Sequence, residues 1–438
     1  MIVRSAAAVS GGRVTGELVK SVVEEHLNAC GRLRRLKAYY LGETDVLKRK
    51  RAPGLPNNRV AHAFARYIVT VTTGYLVGEG VGYQTDEENR EGLSRVTDAY
   101  RACDIGCADV ENARNAAIYG KGVELIWKQP GEKLPRAYPL SPENAFVVYA
   151  DDIRHMPLFG VYMTRNASGE IRVLTVTDRE KTEFVQRENG FVPIAREDHF
   201  FDGVPMVEYW NDENERGDFE WVMPLIDAYD ALQSDRLNDK DQFADKLLVL
   251  TGCTLDTDEE GRPPWLQLRM DKALCLPDGD ASARYLSGEM NESGNEILRS
   301  SLSEDIHKLS MVPDLSDKSF AGDLSGVAIR YKLLGLEQLA AMKQQWFTEG
   351  LKSRMRIYAA FLHLCGGPET DVSRVSAVYT RGLPENPLET AQIIRTAREA
   401  GAMSTGTMVE MLHKNGEWSE ERLAREAEAA RREKEEIR

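Results

Sequence analysis

The residues able to do chemistry in this chain are not grouped as chemistry requires. Seven histidines are scattered, and none has a second histidine four positions away to share a metal ion on one helix face. His62, His155, His199 and His307 therefore read as surface or satisfied core residues. Asp151 and Asp152 fall in a turn sequence, where Asp bonds its own backbone. No GxxxxGKS/T phosphate loop, HExxH, GxSxG or EF-hand pattern occurs. The cluster GEGVG, Gly78 to Gly82, lacks the third spaced glycine of a dinucleotide turn and follows a helix-like segment, so it reads as a turn into a strand. In YGKGVE, Tyr119 to Glu124, Lys121 reads as a turn lysine rather than a phosphate ligand. Cysteines at 30, 103, 107, 253, 275 and 365 form neither CxxC pairs nor a disulfide framework, and are expected to be reduced, partly buried thiols. The sequence predicts no catalytic residue, no metal and no cofactor, hence no enzyme.

Composition bounds the class. A chain of 438 residues, 42% hydrophobic and 29% charged, can bury the cores of two or three domains. Its formal charge of -14 argues against tight wrapping of nucleic acid, because phosphate neutralisation needs clustered Lys and Arg. Any DNA contact is expected to be loose or local. The N-terminal MIVRSAAAVSGGR has no apolar stretch for a signal peptide, and Tyr67 to Tyr83 is interrupted by Thr, Gly and Glu short of a span, which predicts a cytoplasmic protein without a membrane partner.

Helical spacing runs from about Gly16 to Leu41, and again from about Val60 to Leu76 with Asn57 or Asn58 as cap. A third pattern covers Leu93 to Ile118. Strand-like runs then alternate with turns from VELIW, Val123 to Trp127, as far as Trp210. Pro224 opens a helix whose centre, Gln233 to Gln242, is polar apart from Leu237, so neighbouring helices from an assembly are expected to support it. A small β-rich insertion, Leu250 to Gly288, precedes a helix from Asn291 to Met311. One long helix is expected from about Asp323 to Leu364, with Asp323 or Ser325 as cap. Its apolar stripe Leu339, Met342, Trp346 resumes out of phase at Leu351, Met355 and Tyr358, which predicts a bend near Gly350. VSAVYT, Val375 to Thr380, reads as a strand, and helices follow LPENP.

Several segments in this order resemble the portal proteins of tailed bacteriophages, the head-to-tail connectors, of the siphophage type of Gram-positive hosts. They include YYLGE with PNNRVAHAFARYIVTVTTGYLVGEGVGY, then IYGKGVELIW with YPLSPENAFVVYADD, then FFDGVPMVEYWNDENERGDFEWVMPLIDAYDALQSD. VPDLSDKSFAGDLSGVAIRYKLLGLEQLAAMKQQWFTEGL and LPENPLETAQII complete the series. A short β insertion and a short C-terminus are the departures from the pattern.

The resemblance implies an α+β portal fold. It has an α/β wing at 1–218, stem helices at 219–249 and 290–311, a clip at 250–289, a tunnel loop at 312–326, a long bent wing helix and strand at 327–383, and an α-helical crown at 384–438. It further implies a homo-oligomeric ring, a dodecamer, at the capsid portal vertex of the virion, assembled in the host cytoplasm. The ring is the channel for double-stranded DNA in packaging and ejection and the docking platform for the terminase large subunit and a head-tail adaptor, beside major capsid and scaffolding proteins. In the tunnel loop, Asp317, Lys318, Ser319, Phe320 and Asp323 are the channel residues implied, with Gly322, Gly326 and Gly350 as hinges. Phe320 faces either DNA or the next subunit. The alternative class is an adaptor or scaffold protein without a channel.

Overall fold

The structure is a computed structural model that describes residues 1–9, 13–53, 55–167, 169–244, 247–251, 282–286, 292–316, 326–381, 387–400, 404–412, 422–423 and 425–429. In chain order come β1 (Ile2–Arg4), α1 (Gly16–Tyr40), α2 (Phe64–Val77), β2 (Val81–Gln84), α3 (Arg90–Ala102), α4 (Ile105–Tyr119), β3 (Lys121–Trp127) and β4 (Arg136–Leu140). The strands β5 (Ala145–Ala150), β6 (Pro157–Arg165), β7 (Ile171–Val176), β8 (Glu180–Arg187), β9 (Gly190–Asp198) and β10 (Met206–Trp210) follow. Then come α5 (Met223–Ala244), β11 (Leu247–Thr251), β12 (Ser282–Leu286), α6 (Glu292–Ser310), α7 (Gly326–Lys332), α8 (Leu334–Leu364), β13 (Ser376–Tyr379), α9 (Pro387–Glu399) and α10 (Thr405–Leu412). The chain divides into two compact units: Met1–Ala29, Thr70–Arg216 and Met311–Arg438 form one, Cys30–Val69 and Gly217–Ser310 the other. Residues 30–69, expected with the wing, thus cluster with 217–310.

In the first unit a six-stranded sheet has the order β1-β5-β6-β7-β8-β9, with β1 parallel to β5 and the rest an antiparallel meander. Its inward residues alternate along the strands: Phe159, Val161 and Met163 of β6 pack with Phe146, Val148, Val173 and Phe184 under Val19, Val22 and Val23 of α1. A second sheet, β10-β3-β4, and the ribbon β13-β2 complete the unit, so the GEGVG turn does lead into a strand. The helix expected over Leu93 to Ile118 is two helices, because Asp104 adopts a left-handed φ of 52° between α3 and α4. Lys121 is not a turn lysine. It begins β3 buried, 3.1 Å from Glu208 and 3.3 Å from Glu215.

The long helix departs from the sequence expectation. The stripe Leu339, Met342, Trp346 does not face the core: Met342 and Trp346 are 54% and 40% exposed. The buried face carries Leu336, Ala340, Lys343, Phe347, Gly350, Leu351, Arg354, Met355 and Tyr358. Counting Lys343 and Arg354 restores one uninterrupted period, so the phase slip on which a bend at Gly350 rested is absent. Helical structure instead breaks at Leu333, between α7 and α8. Gly350 has a packing reason: a Cβ there would overlap the Tyr209 ring of β10.

Arg354 is the ionic centre of this unit. Fully buried, it grips Glu124 of β3 with two bonds of 2.8 and 2.7 Å, and its third nitrogen meets Asp109 of α4. Asn112 donates to Glu124 at 2.6 Å and the Tyr209 hydroxyl at 3.1 Å. Burial opposes the guanidinium charge, but the two carboxylates outweigh it and push Arg354 well above its ordinary range. Arg354→Met leaves two carboxylates buried without their cation and is expected to cost about 3–5 kcal/mol in urea unfolding; a loss below about 1 kcal/mol would contradict the assignment.

His26 supplies a pH dependence in the same unit. It is buried, stacked on Phe146 at 4.3 Å, and bonded to the Glu143 carbonyl at 3.0 Å. Burial lowers its pKa from 6.5 to about 4. The unfolded chain takes up this proton below 6.5 whereas the folded chain resists it, so stability is complete above 6.5 and falls towards 4. The loss is about 3 kcal/mol. His26→Gln is expected to flatten that part of the stability profile.

Candidate functional site

The second unit is built on α5. Its polar centre, expected to be covered by an assembly, is satisfied within its own chain. Residues 58–62, expected at the start of a helix, run extended beside α5, and the helix begins only at Phe64. The amides of Asn58, Val60 and His62 donate to Asn238 Oδ1 at 2.6 Å, Ser234 Oγ at 3.0 Å and Asp230 Oδ1 at 2.9 Å. The periods match: alternate amides of an extended chain recur about every 6.6 Å, and helix positions four apart about every 6.0 Å. Ser234, Asn238 and Asp230 are fully buried, so each is an acceptor that water cannot replace.

The same strap continues upstream. Thr44 Oγ1 donates to Asp230 at 2.6 Å, Arg49 reaches Asp235 at 2.8 Å, and Arg51 joins the same carboxylate. Tyr39 at the end of α1 donates to Asp227 at 2.6 Å; burial pushes this carboxyl up, and the Tyr39 bond opposes the rise. His62 stands edge-on to Tyr229 at 4.8 Å, and Phe64 packs between Tyr229 and His307 at 5.1 and 6.0 Å. His62 also meets Asp230 Oδ1 through its Nδ1 at 2.9 Å, so it is a bonded member of the strap, while His307 packs on Phe64.

On another face of α5, Arg236 bonds Glu292 at 2.6 Å and Glu296 at 3.2 Å, which ties α6 alongside. The Arg236 bond holds Glu292 below the usual carboxylate range, and Arg299 does the same to Glu296. Beyond α5, β11 pairs antiparallel with β12, Leu247 opposite Leu286 and Thr251 opposite Ser282. Helix, strand pair and helix therefore follow in the expected order, β11 begins at Leu247, and most of the expected insertion, 250–288, lies outside the described residues.

The expected channel residues Asp317, Lys318, Ser319, Phe320, Gly322 and Asp323, and the cap Ser325, lie outside the described residues. Their flanks are described. Met311 follows α6 with a left-handed φ of 58°, Val312 is buried, and Asp314 accepts from the amide and hydroxyl of Ser316 at 2.9 and 2.6 Å. Gly326 is the first residue of α7, and Gly350 lies inside α8. At GEGVG, a cavity of about 570 Å³ is lined by Gly82, Tyr83, Tyr100, Arg101, Asp104 and Asp109. Among the described residues no group of His, Cys, Asp and Glu could hold a metal ion, and no helix is long and apolar enough to cross a membrane.

The profile of the family described as "Phage portal protein, SPP1 Gp6-like" matches residues 19–438. This chain belongs to the phage portal protein family. Among its relatives, the portal protein of Bacillus phage SPP1 is 26% identical over 444 residues, covering 93% of this chain and 85% of that protein. The portal protein of Clostridium phage phiCD119 is 22% identical over 410 residues, covering 86% and 88%. A solved structure, "Neck of empty GTA particle computed with C6 symmetry", is similar over 80% of this chain and 90% of that one, with 12% identity and a TM-score of 0.49. The portal-family resemblance read from the sequence is thereby established.

The side-chain ladder is testable residue by residue. Asn238→Ala deprives the Asn58 amide of its acceptor and is expected to cost about 1–3 kcal/mol. Hydrogen exchange at Asn58 and Val60 should accelerate while amides of the sheet β5 to β9 keep their protection; equal acceleration in both would mean global unfolding rather than release of the strap.

Proposed function

We propose that copies of this chain close into a dodecameric ring at one vertex of the capsid, and that double-stranded DNA passes through the ring during packaging and ejection. The family match over residues 19–438 carries this reading. The α5–α6 hairpin with its β11–β12 ribbon is consistent with a stem leading to a clip, and Met342 and Trp346, exposed on α8, are consistent with burial in an assembly. The ring is a structural component of the virion, not the motor, and offers surfaces to the terminase large subunit, a head-tail adaptor, and capsid and scaffolding proteins. A formal charge of -14 suits a wall past which DNA must slide, since a strongly basic wall would bind phosphates by counterion release.

In this reading, residues 312–326 are the tunnel loop, and Asp317, Lys318, Ser319, Phe320 and Asp323 line the passage. Gly322 and Gly326 allow the loop to move, and Gly350 joins the helix behind it to β10. Replacing Lys318 and Phe320 together by Ala is expected to leave rings intact in electron micrographs while lowering the amount of DNA packaged. Rings lost with the loop variant would make the loop an assembly element, and unchanged packaging would remove these two side chains from the DNA path.

A further inference from the structure

The second unit is electrically divided. Residues 30–69 hold ten Lys or Arg against two acids, whereas residues 217–310 hold twenty acids against nine Lys or Arg, in a chain whose formal charge is -14. Some of this opposition is consumed inside the unit: Arg32 bonds Glu220 at 2.6 Å, and Arg49 and Arg51 share Asp235. Arg236 takes Glu292 and Glu296, and Asp230 is buried. Among the described residues Lys48, Lys50 and Arg59 of the strap are exposed, as are Glu304 and Lys308 on α6, where Asp305 is half-buried.

Both outward faces also leave apolar side chains in water. Leu41, Leu47 and Leu55 are exposed among the strap cations, and Ile297, Leu298 and Leu309 are exposed on α6, Ile297 at 72%. A surface that only tracked a phosphate backbone would have no use for three leucines, whereas a protein seam combines apolar contact with charge. The two faces lie apart on the unit. α5 contacts the strap through positions 230, 234 and 238 and α6 through 236 and 240, directions about 140° apart at about 3.6 residues per turn.

We propose that the basic, leucine-bearing strap of one copy docks on the acidic, apolar face of α6 of the next copy. Such a contact joins two different surfaces of the same chain, head to tail, and builds a ring when its rotation closes. Opposite charges fix the register and hasten encounter, and the exposed Leu and Ile side chains supply the apolar burial. The inference rests on the ring reading and names the contact that would build it.

Charge exchange tests it on the full chain, with mass photometry for assembly and thermal unfolding by circular dichroism for the fold. Lys48→Glu with Lys50→Glu, or separately Glu304→Lys with Asp305→Lys, is expected to raise the concentration at half-dissociation about tenfold or more, with unfolding unchanged. All four substitutions in one chain should restore assembly, because both faces are reversed together. Wild-type assembly in either two-residue variant overturns the proposal, as does failure of the fourfold variant to recover while it remains folded. Intact rings that bind less double-stranded DNA after strap reversal would assign the strap to nucleic acid and also overturn it. Wild-type protein that stays monomeric throughout would instead contradict the ring reading itself.

Discussion

The first unit depends on one buried arginine. Arg354 joins α8 to two consecutive elements far back in the chain, α4 and β3, through Asp109 and Glu124, and no other side chain could reach both carboxylates with a rigid planar fork. A cation at zero exposure with two acids is a costly arrangement for stability alone, because desolvation offsets much of the Coulomb attraction. It fixes geometry instead. Tyr209 donates to Glu124 and fills the space left by Gly350, so rotation or sliding of α8 along β10 would strand ions and create a steric overlap together. Helix α8 is thus registered on the sheet by charge as well as by packing.

The second unit uses polar bonds for a related purpose. Extended backbone has unmet amides wherever it is buried without a partner strand, and here helix side chains at 230, 234 and 238 take the place of a strand. Because each acceptor serves one alternate amide, a shift of the strap by one residue would leave all three unmatched. The helix pair α5 and α6 is held by a different device, Arg236 between Glu292 and Glu296. These bonds make a unit with distinct, chemically unlike faces, which a head-to-tail assembly requires.

The sequence carried much of the architecture. Strand-like runs between turns located β3 and β5 to β8, and Pro224 marked the opening turn of α5. The failures share a cause, which is that polar residues were assumed to face solvent. Leaving Arg354 and Lys343 out of the buried stripe of α8 shifts that stripe onto Met342 and Trp346 and creates an apparent phase slip at Gly350. Glu124 inside VELIW, a charge in an otherwise apolar strand, was the available sign of a buried ion pair. Asp230, Ser234 and Asn238, spaced by four, were the sign of a ladder, but their partner is backbone from a segment more than 160 residues away and has no side-chain pattern to read. Lys121 was misread likewise, because its partners Glu208 and Glu215 come from the far side of the meander.

In the proposed ring, the ion-registered helix α8 and the two unlike faces around α5 belong to a subunit that repeats around an axis. In that proposal the acidic charge suits passage of DNA better than capture. Electron cryomicroscopy of the assembled wild-type protein viewed down its axis, reconstructed without imposed symmetry, tests that claim most directly. The account predicts a ring of twelve copies around an open central passage. A filled disc, an open filament or isolated monomers would contradict it.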